Sequence, residues 1–428
     1  MEFGLERTQR LLQALGNPHH AFKVIHVAGT NGKGSVCAYI ASVLLQAQLK
    51  VGRFNSPHLL EPRDSINVNG APLAQAMYDH ACTVVRDTDK THRIKASSFE
   101  LLVVTAFWVF REMQLDYVIL EVGLGGLLDA TNVVEHPLCS IITPIGLDHV
   151  DILGGSLQTI AQAKAGIMKP GCPVIIAPQD NPEALETLIG QAQTVNAPYI
   201  VVSPAQFVSD DRCRLDYTFD DTRVHYEYPV VLHGDYQRVN SATAVTALDW
   251  LSRRNVIPPL APILEKGMAA TRWRGRMDWL TVIDYPKLSV ISGLYSMLVD
   301  GAHNLPAAQA LRRHVDALCQ KYKLSRTLWV IGATEGKDID SILKQLIHTH
   351  DAVISVPFSQ PAGMPWIHCV APEKIAERAQ NWTSETYATD SLSAALQQTS
   401  FIYHKDNDLV VLCGSLYLVA DLYRLIEQ

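Results

Sequence analysis

The segment Gly29-Thr30-Asn31-Gly32-Lys33-Gly34-Ser35 constrains this chain more than any other. It follows a β-rich apolar run, Lys23 to Val27, and opens a helically patterned stretch from Gly34 to about Gln48. Glycines in a tight turn let backbone N–H groups approach a ligand, the helix N-terminus favours an anion, and Lys33 adds a point charge. A strand, glycine turn and helix in that order make a phosphate cradle on an α/β layer. The segment departs from the Walker pattern, which would want glycine at Val27 and a hydroxyl residue at Gly34.

The surrounding pattern agrees with such a layer. Short apolar runs, Val51 to Phe54, Tyr117 to Val122 and Ser140 to Ile145, alternate with helical stretches such as Phe99 to Met113. Unbroken apolar strands of this kind predict a parallel sheet covered on both faces. Arg214 to Phe219 and Thr222 to Tyr228 flank Asp220-Asp221 and read as an antiparallel hairpin, expected to be peripheral. After Tyr285 the alternation resumes, with strands near Met297 to Val299, Thr327 to Ile331, Ala352 to Val356 and Leu409 to Leu412. At roughly 150 residues per domain, 428 residues accommodate two α/β units, which we place at 1–284 and 285–428.

Composition limits the partners. Lys plus Arg number 36 against 43 Asp plus Glu, a net charge of −7, so there is no global basic field for a nucleic acid. The eight cysteines, at 37, 82, 139, 172, 213, 319, 369 and 413, form no C-x-x-C motif and suit a reducing compartment. The N-terminus lacks a signal-peptide pattern, and the run Leu409 to Ala420, broken by Gly414 and Ser415, is shorter than the ~20 residues a membrane span needs. A cytoplasmic protein without a membrane partner is expected.

Several residues stand where chemistry is done in such sheets. Glu121 ends an apolar strand and runs into Gly123-Leu124-Gly125-Gly126, which places a carboxylate at the sheet edge where ligands bind. Mg²⁺ bridging phosphates needs one or two carboxylates, so Glu121 is a candidate ligand. His149, after the strand Ser140 to Ile145, could ligate metal, touch phosphate or be ordinary surface, and Ser56 precedes a proline in a turn. Ser156 can cap a helix to about Met168, on which Leu157, Ile160, Lys164, Ile167 and Met168 share one face. A lysine on that stripe either snorkels or changes its charge, and carbamylation by CO₂ would make it an anion. Arg272, Arg274 and Arg276 beside Trp273 suggest a clamp for ATP or a carboxylate. Asp300-Gly301-Ala302-His303-Asn304 and Gly414-Ser415 follow the first and last strands of the second unit.

Together with Ser56-Pro57-His58-Leu59, Leu128-Asp129-Ala130-Thr131-Asn132 and Lys164-Ala165-Gly166-Ile167, these segments resemble the dihydrofolate synthase/folylpolyglutamate synthase family of Mur-type amide ligases, in the family's order and over nearly the whole chain. The resemblance implies a P-loop ATPase domain on a parallel sheet, a smaller Rossmann-like α/β domain, and an active site between them. It implies that Gly29, Thr30, Asn31, Gly32, Lys33, Gly34 and Ser35 hold ATP with Asn240, Arg276 and Asp300. Ser56, Glu121 and His149 become ligands of Mg²⁺, in two sites, and Lys164 a carbamylated lysine. His303 and Ser415 fall on the glutamate side; Gly4, Leu5, Arg7, Phe99, Glu100, Leu128, Asp129 and Ala130 fall on the pterin pocket. Leu127 stands where many bacterial relatives have arginine.

The activity so implied is ATP-dependent addition of L-glutamate to dihydropteroate by a monomer, with Lys33, Lys164 and His303 in catalytic roles. Extension of folates is the neighbouring alternative. A nucleotide-gated switch is a competing class, since Asp151-Ile152-Leu153-Gly154 matches D-x-x-G, but no N-K-x-D motif accompanies it; a simple kinase is another.

Overall fold

A computed structural model describes residues 4–362 and 364–427. It divides into two compact units: one runs to Val231 and includes Tyr236–Arg272, and the other comprises Leu232–Asp235 and the chain from Trp273. The division lies upstream of the 284/285 join expected from sequence. The cause is a strand at Asp278–Thr281 that pairs antiparallel with Ser296–Val299 and so begins the second unit's sheet.

In the first unit, β1 (Lys23–Ala28), β2 (Val51–Phe54), β3 (Ile66–Val68), β4 (Ala71–Pro72), β5 (Tyr117–Glu121), β6 (Cys139–Ile142), β7 (Val174–Ile176) and β8 (Tyr199–Val201) form one sheet. Its order is β4-β3-β2-β5-β1-β6-β7-β8. The sheet is parallel from β2 to β8, but β3 and β4 add an antiparallel edge, too short to leave a readable run in the sequence. β1 lies between β5 and β6, with Val27 beside Glu121 and Ala28 beside Ile142. The loops after all three strands therefore start side by side at one edge. Every residue of β5 and β6 is buried, as expected for strands covered on both faces.

The Lys33–Gln46 helix is apolar nearly all round and mostly buried. It packs against Gln237–Arg253 and Ala261–Ala269, which explains why its sequence lacks a polar face. The predicted hairpin is β10 (Arg212–Phe219) and β11 (Thr222–Pro229), joined by β9 (Gln206–Ser209) in a three-stranded sheet. β9 is wholly exposed and β10 and β11 bury only part of their residues, so the sheet lies at the surface of the unit, as expected. The hydroxyls of Tyr217 and Tyr226 donate to the buried carboxylate of Asp249 at 2.5 and 2.6 Å, tying the hairpin to the Gln237–Arg253 helix.

The second unit holds β12 (Asp278–Thr281), β13 (Ser296–Val299), β14 (Arg326–Ile331), β15 (Ala352–Ser355), β16 (Glu385–Ala388) and β17 (Asp408–Cys413), ordered β12-β13-β17-β14-β15-β16. All neighbours but β12 and β13 run parallel. Asp351 anchors its centre: buried, it pairs with Arg312 at 3.0 Å and accepts from the Trp329 indole at 3.1 Å.

Candidate active site

The phosphate loop is shaped by close approaches that admit only glycine at two positions. Gly29 has φ +141, and a Cβ there would lie 1.8 Å from Thr143 Oγ1; Gly32 has φ +93, and its Cβ would meet Asn240 Oδ1 at 2.3 Å. Both φ values lie in the region that L side chains avoid. Thr30 laces the loop to the one after β6, donating through Oγ1 to the Gly146 carbonyl and accepting from the Gly146 N–H. The amides of Thr30 and Asn31 both reach the Pro144 carbonyl. Gly34 and Ser35 lie in the first turn of the Lys33–Gln46 helix, where Ser35 is buried. Asn240 donates through Nδ2 to Gln237 at 3.2 Å, which leaves its oxygen against the loop.

Two lysines converge on this loop. Lys33 Nζ donates to the carbonyls of Gly29 and Thr30, each at 3.1 Å. Lys164 Nζ donates to the same Gly29 carbonyl at 2.8 Å. Lys164 is buried, near the end of a helix Leu157–Ala165 capped by Ser156. That helix stops at Ala165, short of Met168, where Gly166 packs against the backbone of Leu127. Burial, with the Lys33 ammonium beside it, pushes the Lys164 amine down to about 7 against the pull of Asp148 and Asp129. One pKa unit is about 1.4 kcal/mol. Shedding the proton near neutral pH therefore costs little, whereas an unpaired buried ammonium costs several kcal/mol.

Glu121 lies beside Lys33, its Oε1 3.8 Å from Nζ, and its Oε2 accepts from Asn55 Nδ2 at 2.7 Å. The next residue, Ser56, has a buried Oγ with no hydrogen-bond partner. His149 is in the left-handed region at φ 52, with its side chain 45% exposed and Nε2 3.9 Å from Asp148. Among the described residues no group of three or more His, Cys, Asp or Glu side chains gathers for a metal. A cation here would draw on one carboxylate, a hydroxyl and an imidazole, then on phosphate oxygens and water. The carboxylate, hydroxyl, phosphate and water oxygens suit Mg²⁺, a hard cation, whereas the imidazole is a donor that softer metals favour; the orphaned Ser56 hydroxyl is consistent with a cation here.

The residues assigned to the pterin side fall on one stretch of this unit. Gly4 and Leu5 lead into the Glu6–Ala14 helix, and Leu5 packs on the core that holds Leu11 and Leu12. Arg7 Nε bonds both oxygens of Glu100, at 3.2 and 3.1 Å. Glu100 also closes the capping box of the Ser98–Glu112 helix with Ser97. The Phe99 ring lies on the Cα of Gly123. Asp129 accepts from the amides of Gly123, Leu124 and Thr131 and from Thr131 Oγ1. Four donors fill a carboxylate, so Asp129 organises its loop. Ala130 is buried beneath, and Leu128 stays 51% exposed.

In the second unit the assigned residues gather at the C-terminal ends of β13 and β17. Asp300 accepts from the Met277 amide at 2.7 Å; burial pushes its carboxyl up, while Arg276 and that amide favour the charged form. His303 Nδ1 donates to the Gly301 carbonyl at 2.8 Å, and since a carbonyl only accepts, Nδ1 carries the proton. Ser415 Oγ accepts from the Tyr417 amide at 3.2 Å and lies 3.5 Å from Thr334 Oγ1. The three-arginine stripe does not act as one: Arg272 binds the Ala269 and Thr271 carbonyls, and Arg274 pairs with Glu427.

Comparison with known proteins decides the family. The profile of the Mur ligase middle domain matches residues 27–248, and that of the dihydrofolate synthetase C-terminal domain matches 283–425. A probable dihydrofolate synthetase of Schizosaccharomyces pombe is 37% identical, covering 100% of this chain and 99% of the relative. This chain belongs to the dihydrofolate synthase/folylpolyglutamate synthase family. The dihydrofolate synthetase of Saccharomyces cerevisiae is 34% identical over 99% of this chain and 98% of its own length. A bifunctional folylpolyglutamate synthase/dihydrofolate synthase solved with Mn, AMPPNP and L-glutamate superposes with a TM-score of 0.82 at 27% identity, covering 100% of this chain and 95% of that one. Like its family, the chain is an ATP-dependent ligase.

Sequence reasoning missed Asn55, Thr143 and Gln237, each of which touches a candidate site residue: Glu121, Gly29 and Asn240 in turn. Thr143 stood inside the predicted Ser140 to Ile145 strand, which ends at Ile142. Asn55 carried no signal beyond preceding Ser56.

Proposed function

We propose that this ligase joins L-glutamate to 7,8-dihydropteroate, giving 7,8-dihydrofolate, ADP and phosphate. The full-length similarity to fungal dihydrofolate synthetases carries the reading, and the paired lysines on the phosphate loop support it. A carboxylate resists an amine because its charge repels electrons and oxide is a poor leaving group. In the first step the pteroate carboxylate oxygen attacks the γ-phosphorus, and the bond to the bridging oxygen breaks to release ADP. Lys33 neutralises charge that develops on the phosphoryl oxygens. In the second step the glutamate amine adds to the acyl phosphate carbon and expels phosphate, its proton leaving with the phosphate, to form the amide.

Ser56, Glu121 and His149 would hold Mg²⁺, which when bound offsets phosphate charge, and we assign it two sites. The loop from Gly29 to Ser35, with Asn240, Arg276 and Asp300, receives ATP. His303 and Ser415 receive glutamate, and Leu5, Arg7, Phe99, Glu100 and Leu128 border the pterin. Lys164 acts as a carbamate: its neutral amine attacks the carbon of CO₂, an N–C bond forms and a proton is released. The resulting anion replaces an ammonium–ammonium repulsion with an attraction to Lys33. We read the ligase as a cytoplasmic monomer. Support for the compartment comes from its cysteines, among which the described structure forms no disulfide; among the described residues no helix is long and apolar enough to cross a membrane.

Extension of existing folates is the second reading, favoured by the full-length fit to a bifunctional enzyme. Incubation with ATP, glutamate and either dihydropteroate or tetrahydrofolate tests both. Dihydrofolate from the first substrate is expected; elongation of tetrahydrofolate with dihydropteroate untouched overturns the proposal.

A further inference from the structure

The two oxygens of Glu121 have different neighbours. Oε2 accepts from Asn55 Nδ2 at 2.7 Å, and Oε1 is 3.8 Å from Lys33 Nζ. A carboxylate only accepts, so the Asn55 amide must present its nitrogen. Asn55 is 6% exposed, and its backbone N–H is tied to the Ser65 carbonyl at 3.0 Å. The donor therefore stands on fixed chain. It reaches Glu121 because β2 and β5 pair in parallel with Phe54 beside Leu120, so the next residue of each strand leaves the sheet at the same point. The residue after Asn55 is Ser56, whose hydroxyl is buried without a partner.

We propose that Asn55 is a positioning residue for the cation site. By engaging Oε2 it sets the rotation of the Glu121 carboxylate and keeps Oε1 turned toward Lys33. By lying next to Ser56 in the chain it holds that hydroxyl at a set place relative to the carboxylate. The inference rests on the reading of Ser56 and Glu121 as cation ligands. Groups that orient a metal ligand in this way commonly change metal affinity 10–100-fold when removed.

The test is binding of Mn²⁺ in the presence of AMPPNP, followed by electron paramagnetic resonance on the full chain, with thermal melts as a check on folding. Asn55→Ala is expected to weaken Mn²⁺ about tenfold, with metal-free AMPPNP binding unchanged. Asn55→Leu keeps the bulk and removes the donor without adding charge, so it is expected to weaken Mn²⁺ as much as Asn55→Ala. If Asn55 merely fills space, Asn55→Leu binds Mn²⁺ like the wild type, and the proposal is overturned. Wild-type Mn²⁺ affinity in Asn55→Ala together with a loss in Glu121→Gln overturns it while leaving the ligand reading standing. Wild-type affinity in Glu121→Gln removes the ligand reading itself.

Discussion

Lys33 and Lys164, far apart in sequence, donate to one acceptor, the carbonyl of Gly29, at 3.1 and 2.8 Å. Two ammonium groups on one carbonyl repel each other, and the deeper one gives way: Lys164 is pushed down to about 7, by burial first and by Lys33 second. The shared carbonyl thus couples the two lysines, and Lys164 is the one whose ammonium form is disfavoured.

Replacing Lys33 by alanine should lower kcat by about 10²–10³ or more, the scale for losing one preorganised donor to developing charge. The far-UV circular dichroism and the melting temperature should stay near wild type, because the ammonium is not part of the core. Turnover within a few-fold of the parent, at unchanged ATP affinity, contradicts its role.

The proposed carbamylation of Lys164 makes activity depend on CO₂. Stripping CO₂ from the buffer should depress turnover, and bicarbonate should restore it. The neutral amine is the reactive form and grows as pH rises through about 7, so carbamate formation should be slower at pH 6 than at pH 8. A carbamate signal from ¹³C-bicarbonate, absent in Lys164→Ala, is the direct observation. Full activity of Lys164→Ala without CO₂ sinks the idea; rescue of that variant by short carboxylates supports it.

His26 makes acid destabilising. Burial, with Lys169 nearby, pushes its imidazole down to about 3, and Nε2 lies 2.9 Å from Thr131 Oγ1. Between pH 6.5 and 3 the unfolded chain binds a proton that the native state refuses. Stability therefore falls as pH drops through that window, by about 1.4 kcal/mol per unit once below 6.5. Urea midpoints at pH 7.5 and 5.5 should converge more in His26→Gln than in the wild type; an equal acid loss in both contradicts the assignment.

Asp249 holds the β10–β11 hairpin through two tyrosine hydroxyls, so Asp249→Ala leaves both hydroxyls without their acceptor. A loss of about 2–3 kcal/mol in stability is expected, read by urea unfolding. Turnover at low temperature and saturating substrates should stay within twofold. A variant as stable as the parent would show that the tie is replaced by solvent.

What the sequence determined alone was local chemistry. Glycines at 29 and 32, a lysine ahead of a helix and unbroken apolar strands specify a phosphate loop on a parallel sheet, because backbone conformation and burial pattern act over a few residues. The buried stripe that includes Lys164 was legible for the same reason. Tertiary structure decided what those pieces meet. Thr143 against Gly29, Asn55 against Glu121, Lys33 and Lys164 on one carbonyl, and the tyrosines on Asp249 each join residues from different elements. Strand order and register set those meetings, and with β1 seated between β5 and β6 three loops distant in sequence start at one edge. No local pattern encodes that seat, since it comes from which buried faces pack best across the whole sheet.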